Sequence, residues 1–205
     1  MKNYKIIEDY LDELFPNPKC ELEYFNDYSL LIAIMLSAQT TDKRVNEVTK
    51  VLFNKYNNLV KLKNANIHDL EIIIYPLGNY KKKALNVKEI ARIIDEEYSG
   101  CVPRERDKLE KFPGVGRKTI NVFYGEYLCI PAIAVDTHVE RVCKRLKLVK
   151  DYANVLDIEK TLMKNIKKEN WSRRHLQLVL FGRYFCKAKK PECETCKLKG
   201  ICTNK

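Results

Sequence analysis

The C-terminal stretch of this chain is the part least able to fold by itself. From Arg183 to Lys205 there are seven Lys or Arg against two Glu and little aliphatic material, so the segment cannot build a hydrophobic core and needs a staple. Its four cysteines, Cys186, Cys193, Cys196 and Cys202, follow the pattern C-x6-C-x2-C-x5-C. Four thiolates can close around one tetrahedral zinc or one cubane iron–sulfur cluster. Structural zinc sites usually bring two close pairs of ligands, whereas here only Cys193 and Cys196 form such a pair. Wider, unequal steps suit a bulkier cluster wrapped by a loop. The alternative is four reduced, unligated thiols. Cys20, Cys101, Cys129 and Cys143 lie in or beside apolar stretches and are expected to be inert packing residues.

The rest of the chain can bury a core. At 205 residues it fits one large domain or two small ones, and 45% hydrophobic residues exclude a disordered basic tail. The excess of 38 Lys and Arg over 27 Asp and Glu gives a net charge of +11, which suits a polyanionic partner or a merely soluble surface. Residues Met1 to Tyr10 mix Asp and Glu with apolar residues and show no signal peptide. The longest apolar stretch, Leu30 to Leu36, is too short to cross a bilayer. The expectation is a cytoplasmic protein with no membrane partner. In that compartment clustered Cys ligate metals or clusters more often than they form disulfides.

Apolar spacing is helical nearly everywhere, which predicts an all-α fold of about ten short helices. Ala84, Val87, Ala91, Ile94 and Tyr98 form one stripe, stopped by Gly100. Val139, Val142, Cys143 and Leu146 form a second, with Asp136 placed as its cap; Leu176, Val179, Leu180 and Tyr184 form a third. Tyr28–Gln39 reads as a core helix and Lys43–Tyr56 as an amphipathic one.

Leu109–Ile120 reads LEKFPGVGRKTI. Pro113 blocks a helix ending at Phe112, Gly114 and Gly116 permit a tight turn, and Arg117 starts the next helix. Such a turn presents backbone N–H groups at a helix N-terminus, a setting that favours phosphate. A G-x-G alone reads as a structural turn, but with Pro113 before it and Arg117, Lys118 and Thr119 after it in a strongly basic chain the phosphate reading is preferred. Further on, IAVDTHVERVCKR spans Ile133–Arg145. Asp136 is most simply an N-cap and His138 a first-turn surface or packing residue. A capping carboxylate stays ionised, however, and in a cleft it can stabilise a developing positive charge.

Together LSAQTTD (Leu36–Asp42), FPGVGRKT (Phe112–Thr119), AVDTHVERVCKR (Ala134–Arg145) and the cysteine tail occur in the order seen in endonuclease III. The chain thus resembles that family of DNA glycosylase/AP lyases of the helix-hairpin-helix superfamily, from about Tyr28 to Cys202. The resemblance implies two all-α lobes flanking a DNA-binding cleft. One is a six-helix lobe over residues 22–132 containing the hairpin. The other joins residues 1–21 to 133–205 and holds a [4Fe–4S] cluster in the loop 186–202. It also implies Lys118 and Asp136 on opposite sides of the cleft, damaged double-stranded DNA as the partner, and a monomer acting on the nucleoid of a prokaryote-type cytoplasm.

By that resemblance Lys118 is the nucleophile that replaces an oxidised pyrimidine at C1′, and the resulting iminium permits β-elimination 3′ to the sugar. Neighbouring cations such as Arg117, and burial, would lower its pKa. Asp136 is the carboxylate that stabilises the cationic sugar. Asp42, Glu110 and His138 are candidate pocket supports; an early-helix Asp and a solvated Glu explain the first two equally well. Gly114, Val115, Gly116, Arg117 and Thr119 belong to the DNA-binding hairpin. Gln39 matches a residue that fills the gap left by an extruded base, or else ends a buried helix. Asn79 departs from the family, which usually has Leu there, and Phe112 stands where Leu is usual. Lys81, Lys82 and Lys83 would touch phosphate or form a solvated face, and Lys187, Lys189, Lys190, Lys197 and Lys199 would present charge to the duplex.

Three rivals remain. An adenine-mismatch glycosylase usually lacks Lys at the position of Lys118 and adds a recognition domain, whereas this chain ends three residues after Cys202. A mismatch-specific thymine or uracil glycosylase with weak lyase activity fits more closely. A non-catalytic, metal-stapled DNA-binding protein would need the hairpin and tail but not Lys118 with Asp136.

Overall fold

The computed structural model describes residues 2–203; Met1, Asn204 and Lys205, included in the expected second lobe, lie outside it. Among the described residues there are eleven α-helices and no strand, so the chain is all-α as its spacing predicts. No helix among them is long and apolar enough to cross a membrane. The helices group into two compact units, one continuous (Cys20–Phe123) and one split (Met1–Lys19 with Tyr124–Lys205).

The continuous unit is built around α2 (Asp27–Leu36), in which every residue from Tyr28 to Leu36 is buried. A helix apolar on all sides needs neighbours on all sides. α3 (Asp42–Lys55) and the long α6 (Tyr80–Glu97) pack against it, and the unit also contains the short α4 (Leu59–Lys63), α5 (Ile67–Ile74) and α7 (Arg106–Leu109). Asn26 and Ser29 start α2 with a reciprocal capping box. The helix is shorter than the expected Tyr28–Gln39: it stops at Leu36 with the apolar run, and Gln39 sits in a turn with φ 57°. The stripe lies in α6 as predicted from Ala84 to Ile94, with Ala84, Val87, Ala91 and Ile94 buried; Tyr98 is the cap after its last residue, and Gly100 follows at φ 83°.

The division between the units falls within α8 (Arg117–Glu126), after Phe123. The split unit then contains α1 (Lys2–Leu14), α9 (Thr137–Arg145), α10 (Val155–Asn165) and α11 (Trp171–Tyr184). Its core gathers Ile7, Tyr10 and Leu11 of α1, Val139, Val142 and Cys143 of α9, Ile158 and Leu162 of α10, and Leu178 and Phe181 of α11. Gly182 lets α11 approach α9, because a Cβ there would stand 2.8 Å from His138 Cβ.

The stripe expected on α11 is displaced. Tyr184 is exposed, while Arg174 and Gln177 are buried beside Leu178 and Phe181. Arg174 grips Asp12 with two bonds of 2.6 and 2.8 Å and reaches Glu8 at 3.2 Å. The Gln177 amide donates to the Phe15 carbonyl just beyond α1 and to the Leu11 carbonyl, which also accepts from the Phe15 N–H. A polar seam thus joins α1 to α11, where an apolar stripe alone cannot reveal it. The packing role expected of the scattered cysteines also holds only in part. Cys143 is buried, and burial pushes its thiol up to about 12, whereas Cys101 and Cys129 are exposed.

Candidate functional site

The hairpin between α7 and α8 is anchored by its own apolar residues. Leu109, Phe112 and Val115 are buried, and the Phe112 ring stacks on Tyr98 at 5.9 Å between centroids. Gly114 has φ 76°, and a Cβ there would lie 2.5 Å from Asn86 Nδ2 and 3.1 Å from Met35 Cγ. A tight turn in the left-handed region, pressed against α6 and α2, therefore requires glycine at this position. Gly116, Arg117 and Lys118 are exposed, while the side chain of Thr119 is buried. The first turn of α8 has N–H groups without intrahelical partners, at the positive end of its dipole. Lys118 stands on that turn, exposed rather than buried as expected.

Asp136 caps α9 as predicted. Its Oδ1 accepts from the His138 N–H at 2.9 Å and the Val139 N–H at 2.8 Å. Both bonds fall on one oxygen, which leaves Oδ2 of this half-buried carboxylate for chemistry. His138 Nδ1 is 3.3 Å from Arg141 Nη2, so it faces a guanidinium on its own helix. Asp42 is the first residue of α3, behind the Thr41 cap, and Glu110 is the exposed cap of α7.

Gln39 and Asn79 lie on two exposed turns of the continuous unit. Both have left-handed backbone, φ 57° and 44°, which is uncommon for residues other than glycine. Asn79 precedes α6 without capping it through its side chain. Of the three lysines that follow, Lys83 is buried rather than solvated and donates to the carbonyls of Ala38 and Leu77. It is not a phosphate contact. The sequence run of three lysines conceals this, because its acceptor Ala38 lies 45 residues away.

In the split unit Cys186, Cys193, Cys196 and Cys202 line one cavity with Leu146 and Phe181. All four cysteines are half-buried. Burial raises the Cys196 thiol, its bond at Leu198 opposes this, and Cys186, Cys202 and Cys193 raise it further. Among the described residues no three His, Cys, Asp or Glu converge as on a single metal ion. A cavity ringed by four soft donors fits a thiolate-ligated group with bulk of its own.

The loop is also held from α9. Arg141 donates to the carbonyls of Cys186 (3.1 Å) and Gly182 (2.6 Å). Arg145 donates to the carbonyls of Lys187 (2.8 Å) and Ala188 (3.3 Å) and to Cys186 Sγ (3.4 Å). These arginines were not singled out in the sequence, although their four-residue spacing places both on one face of a helix. Of the tail lysines, Lys187 pairs with Glu192 and Lys197 with Glu13, while Lys189, Lys190 and Lys199 are exposed.

Comparison with known proteins follows the same residues. The model of the HhH-GPD superfamily base excision DNA repair proteins matches residues 32–168. Endonuclease III of Bacillus subtilis (strain 168) is 47% identical over 205 residues, covering 98% of this chain and 94% of that protein. Among solved structures, a non-covalent endonuclease III–DNA complex superposes with a TM-score of 0.95 at 46% identity, over 98% of this chain and 94% of that one. A trapped endonuclease III–DNA covalent intermediate gives 0.93 at 46% identity, over 99% of this chain and 96% of that one. The chain belongs to the HhH-GPD superfamily and, within it, to the endonuclease III family.

Proposed function

We propose that the protein is a base excision repair enzyme that removes oxidised pyrimidines from duplex DNA and cleaves the abasic strand 3′ to the sugar. The observation that carries this reading is Lys118, an exposed amine on the first turn of a helix that follows a glycine hairpin. In a chain 46% identical to one trapped covalently on DNA, that amine is the candidate nucleophile.

The hairpin and the start of α8 offer backbone N–H groups and Arg117 to a phosphate, which fixes the duplex without reading its sequence. Val115 and Thr119, whose side chains are buried, serve through their backbone. With a damaged base extruded from the stack, the unprotonated Lys118 Nζ attacks C1′. The glycosidic C–N bond breaks, its electron pair leaves with the base, and the base takes up a proton. Asp136 stabilises the cationic sugar through the carboxylate oxygen not used in capping and accepts the proton released from the amine. The sugar ring then opens: the nitrogen lone pair forms the C=N bond as the C1′–O4′ bond breaks, and O4′ takes up a proton, the one held by Asp136. Loss of a 2′ proton from the resulting iminium expels the 3′ phosphate, and water releases the sugar from Lys118.

Gln39 and Asn79 enter the gap left by the base, Asn79 by hydrogen bonding rather than by an apolar wedge. Asp42, Glu110 and His138 support the pocket in this reading, the last with its ring fixed by Arg141. Cys186, Cys193, Cys196 and Cys202 would hold a [4Fe–4S] cluster, whose contribution is structural: it gives the tail a shape from which Lys189, Lys190 and Lys199 meet the duplex backbone. The protein would act as a monomer on the nucleoid, in the cytoplasm.

Borohydride trapping on a duplex containing an oxidised thymine tests this. Wild type should yield a covalent adduct, and Lys118→Ala should lose it with a fall in strand cleavage of at least about a thousandfold. Asp136→Asn should retain the cap, since Asn caps as well as Asp, and lose about a hundredfold or more in excision. Absence of both adduct and cleavage with the wild-type protein, on oxidised-pyrimidine and abasic duplexes alike, would falsify the assignment.

A further inference from the structure

Lys83 is 6% exposed, and its ammonium is fully engaged. It donates to the Ala38 carbonyl at 2.9 Å, the Leu77 carbonyl at 3.0 Å and Thr40 Oγ1 at 3.2 Å. Three donors thus meet three acceptors, none of them a carboxylate. Burial without an anion holds the Lys83 pKa below the ordinary lysine value. A charge placed this way is a poor device for stability alone, because its desolvation is offset only by neutral dipoles.

The acceptors explain what it does hold. Ala38 and Thr40 flank Gln39, and Leu77 lies two residues before Asn79. Thr40 Oγ1 also donates to the Leu77 carbonyl at 2.8 Å, so the two turns are tied directly as well as through the ammonium. Each turn places an exposed side chain on left-handed backbone, and such backbone persists only where its surroundings over-determine it. Lys83 also closes the first turn of α6, its N–H donating to the Asn79 carbonyl at 3.1 Å. One helical turn further, Asn86 packs against Gly114 of the hairpin. The start of α6 is therefore a common post for three exposed loops.

We propose that Lys83 is a positioning residue that sets the separation and orientation of Gln39 and Asn79, so that both side chains enter the duplex together when a base is extruded. This rests on the glycosylase reading above. Its consequence is selective: filling a gap matters for excising a base from paired DNA, and not for β-elimination at an abasic site in a single strand, where no partner base is orphaned.

The test uses the full chain in its cluster-loaded form. Lys83→Met keeps the stem and removes the donors, Lys83→Arg keeps donors, and Thr40→Val removes the hydroxyl tie. Thermal unfolding, single-turnover excision from a duplex and β-elimination on a single-stranded abasic oligonucleotide are measured for each. Lys83→Met should slow duplex excision about tenfold or more while single-strand elimination stays within about twofold. Lys83→Arg should recover most of the loss, and Thr40→Val should show a weaker form of the same split. A fluorescent base opposite the lesion should report less extrusion with Lys83→Met. Equal losses in both reactions, tracking the fraction unfolded, or no change in either, overturn the inference while leaving the glycosylase reading intact. A wild-type protein inactive in both reactions overturns the two together.

Discussion

Two loops of this molecule are shaped by opposite means. The hairpin at 109–117 is held by buried Leu109, Phe112 and Val115 and by one glycine fitted against Asn86. Between Cys186 and Cys202 only Leu198 is buried, and the one helical element is the three-residue turn Lys199–Ile201. There the carbonyls of Cys186, Lys187 and Ala188 are held by arginines of α9, and four thiols face one cavity. Apolar side chains of the hairpin specify its shape locally. The tail borrows its shape from a neighbouring helix and from whatever the thiols bind.

Cys196→Ser should break this contrast most forcefully. Binding energy at a thiolate site is also folding energy for the segment that supplies the ligands. With the cluster proposed above, iron and acid-labile sulfide should fall together, and trypsin should cut first at Lys187 and Lys189, Lys190 being protected by Pro191. The hairpin, whose Arg117 and Lys118 are equally exposed, should stay intact because its anchors are untouched. Cleavage at both loops at the same rate would show that the hairpin also depends on the thiolate site.

Glycine substitutions sharpen the comparison on a smaller scale. Gly114→Ala meets both a positive φ and a crowded Cβ position, and should destabilise by about 1–3 kcal/mol in urea unfolding. Gly200→Ala in the tail meets open space without a positive φ, so its effect should stay within about 0.5 kcal/mol. If the two cost the same, the hairpin is not the tightly specified loop described above.

The same contrast separates what the sequence reveals from what it hides. The hairpin is legible because proline, glycine and three apolar anchors lie within one short segment. Asp136 is legible as a cap because capping is local, and the cysteine tail because its ligand types are rare and close together. The left-handed turn at Gln39 is hidden because Ser37, Ala38 and Gln39 include no glycine or proline to mark the actual stop at Leu36. Lys83 and Arg174 are hidden for a different reason. Their burial depends on acceptors far along the chain, Ala38 and Leu77 for one and Glu8 and Asp12 for the other, and a charged residue within a helical segment otherwise reads as solvated. The proposed role of Lys118 as nucleophile rests on family resemblance, because nothing in its spacing separates it from Lys111.

The smallest expected effect concerns pH, and it separates ionic ties from neutral ones. Asp12 is held down to about 2 from its ordinary 3.8, chiefly by its hydrogen bond to Arg174, with burial opposing and Gln177 assisting. A carboxylate with a lowered folded pKa contributes stability that is fully present above its unfolded pKa and lost as pH falls through the folded one. The seam between α1 and α11 should therefore weaken from about pH 4 down to about pH 2. Its side chain is about a third exposed, so solvent screening keeps the effect modest. Lys83 is tied only to neutral acceptors, which do not titrate in this range. Amide hydrogen exchange in acid should rise in α1 and α11 before it rises at the turns around Gln39 and Asn79. Asp12→Asn should flatten the acid dependence of α1 while leaving those turns unchanged. An unaltered acid slope in Asp12→Asn would move the acid-sensitive tie of the split unit away from this seam, towards Glu8 or the Lys197–Glu13 pair.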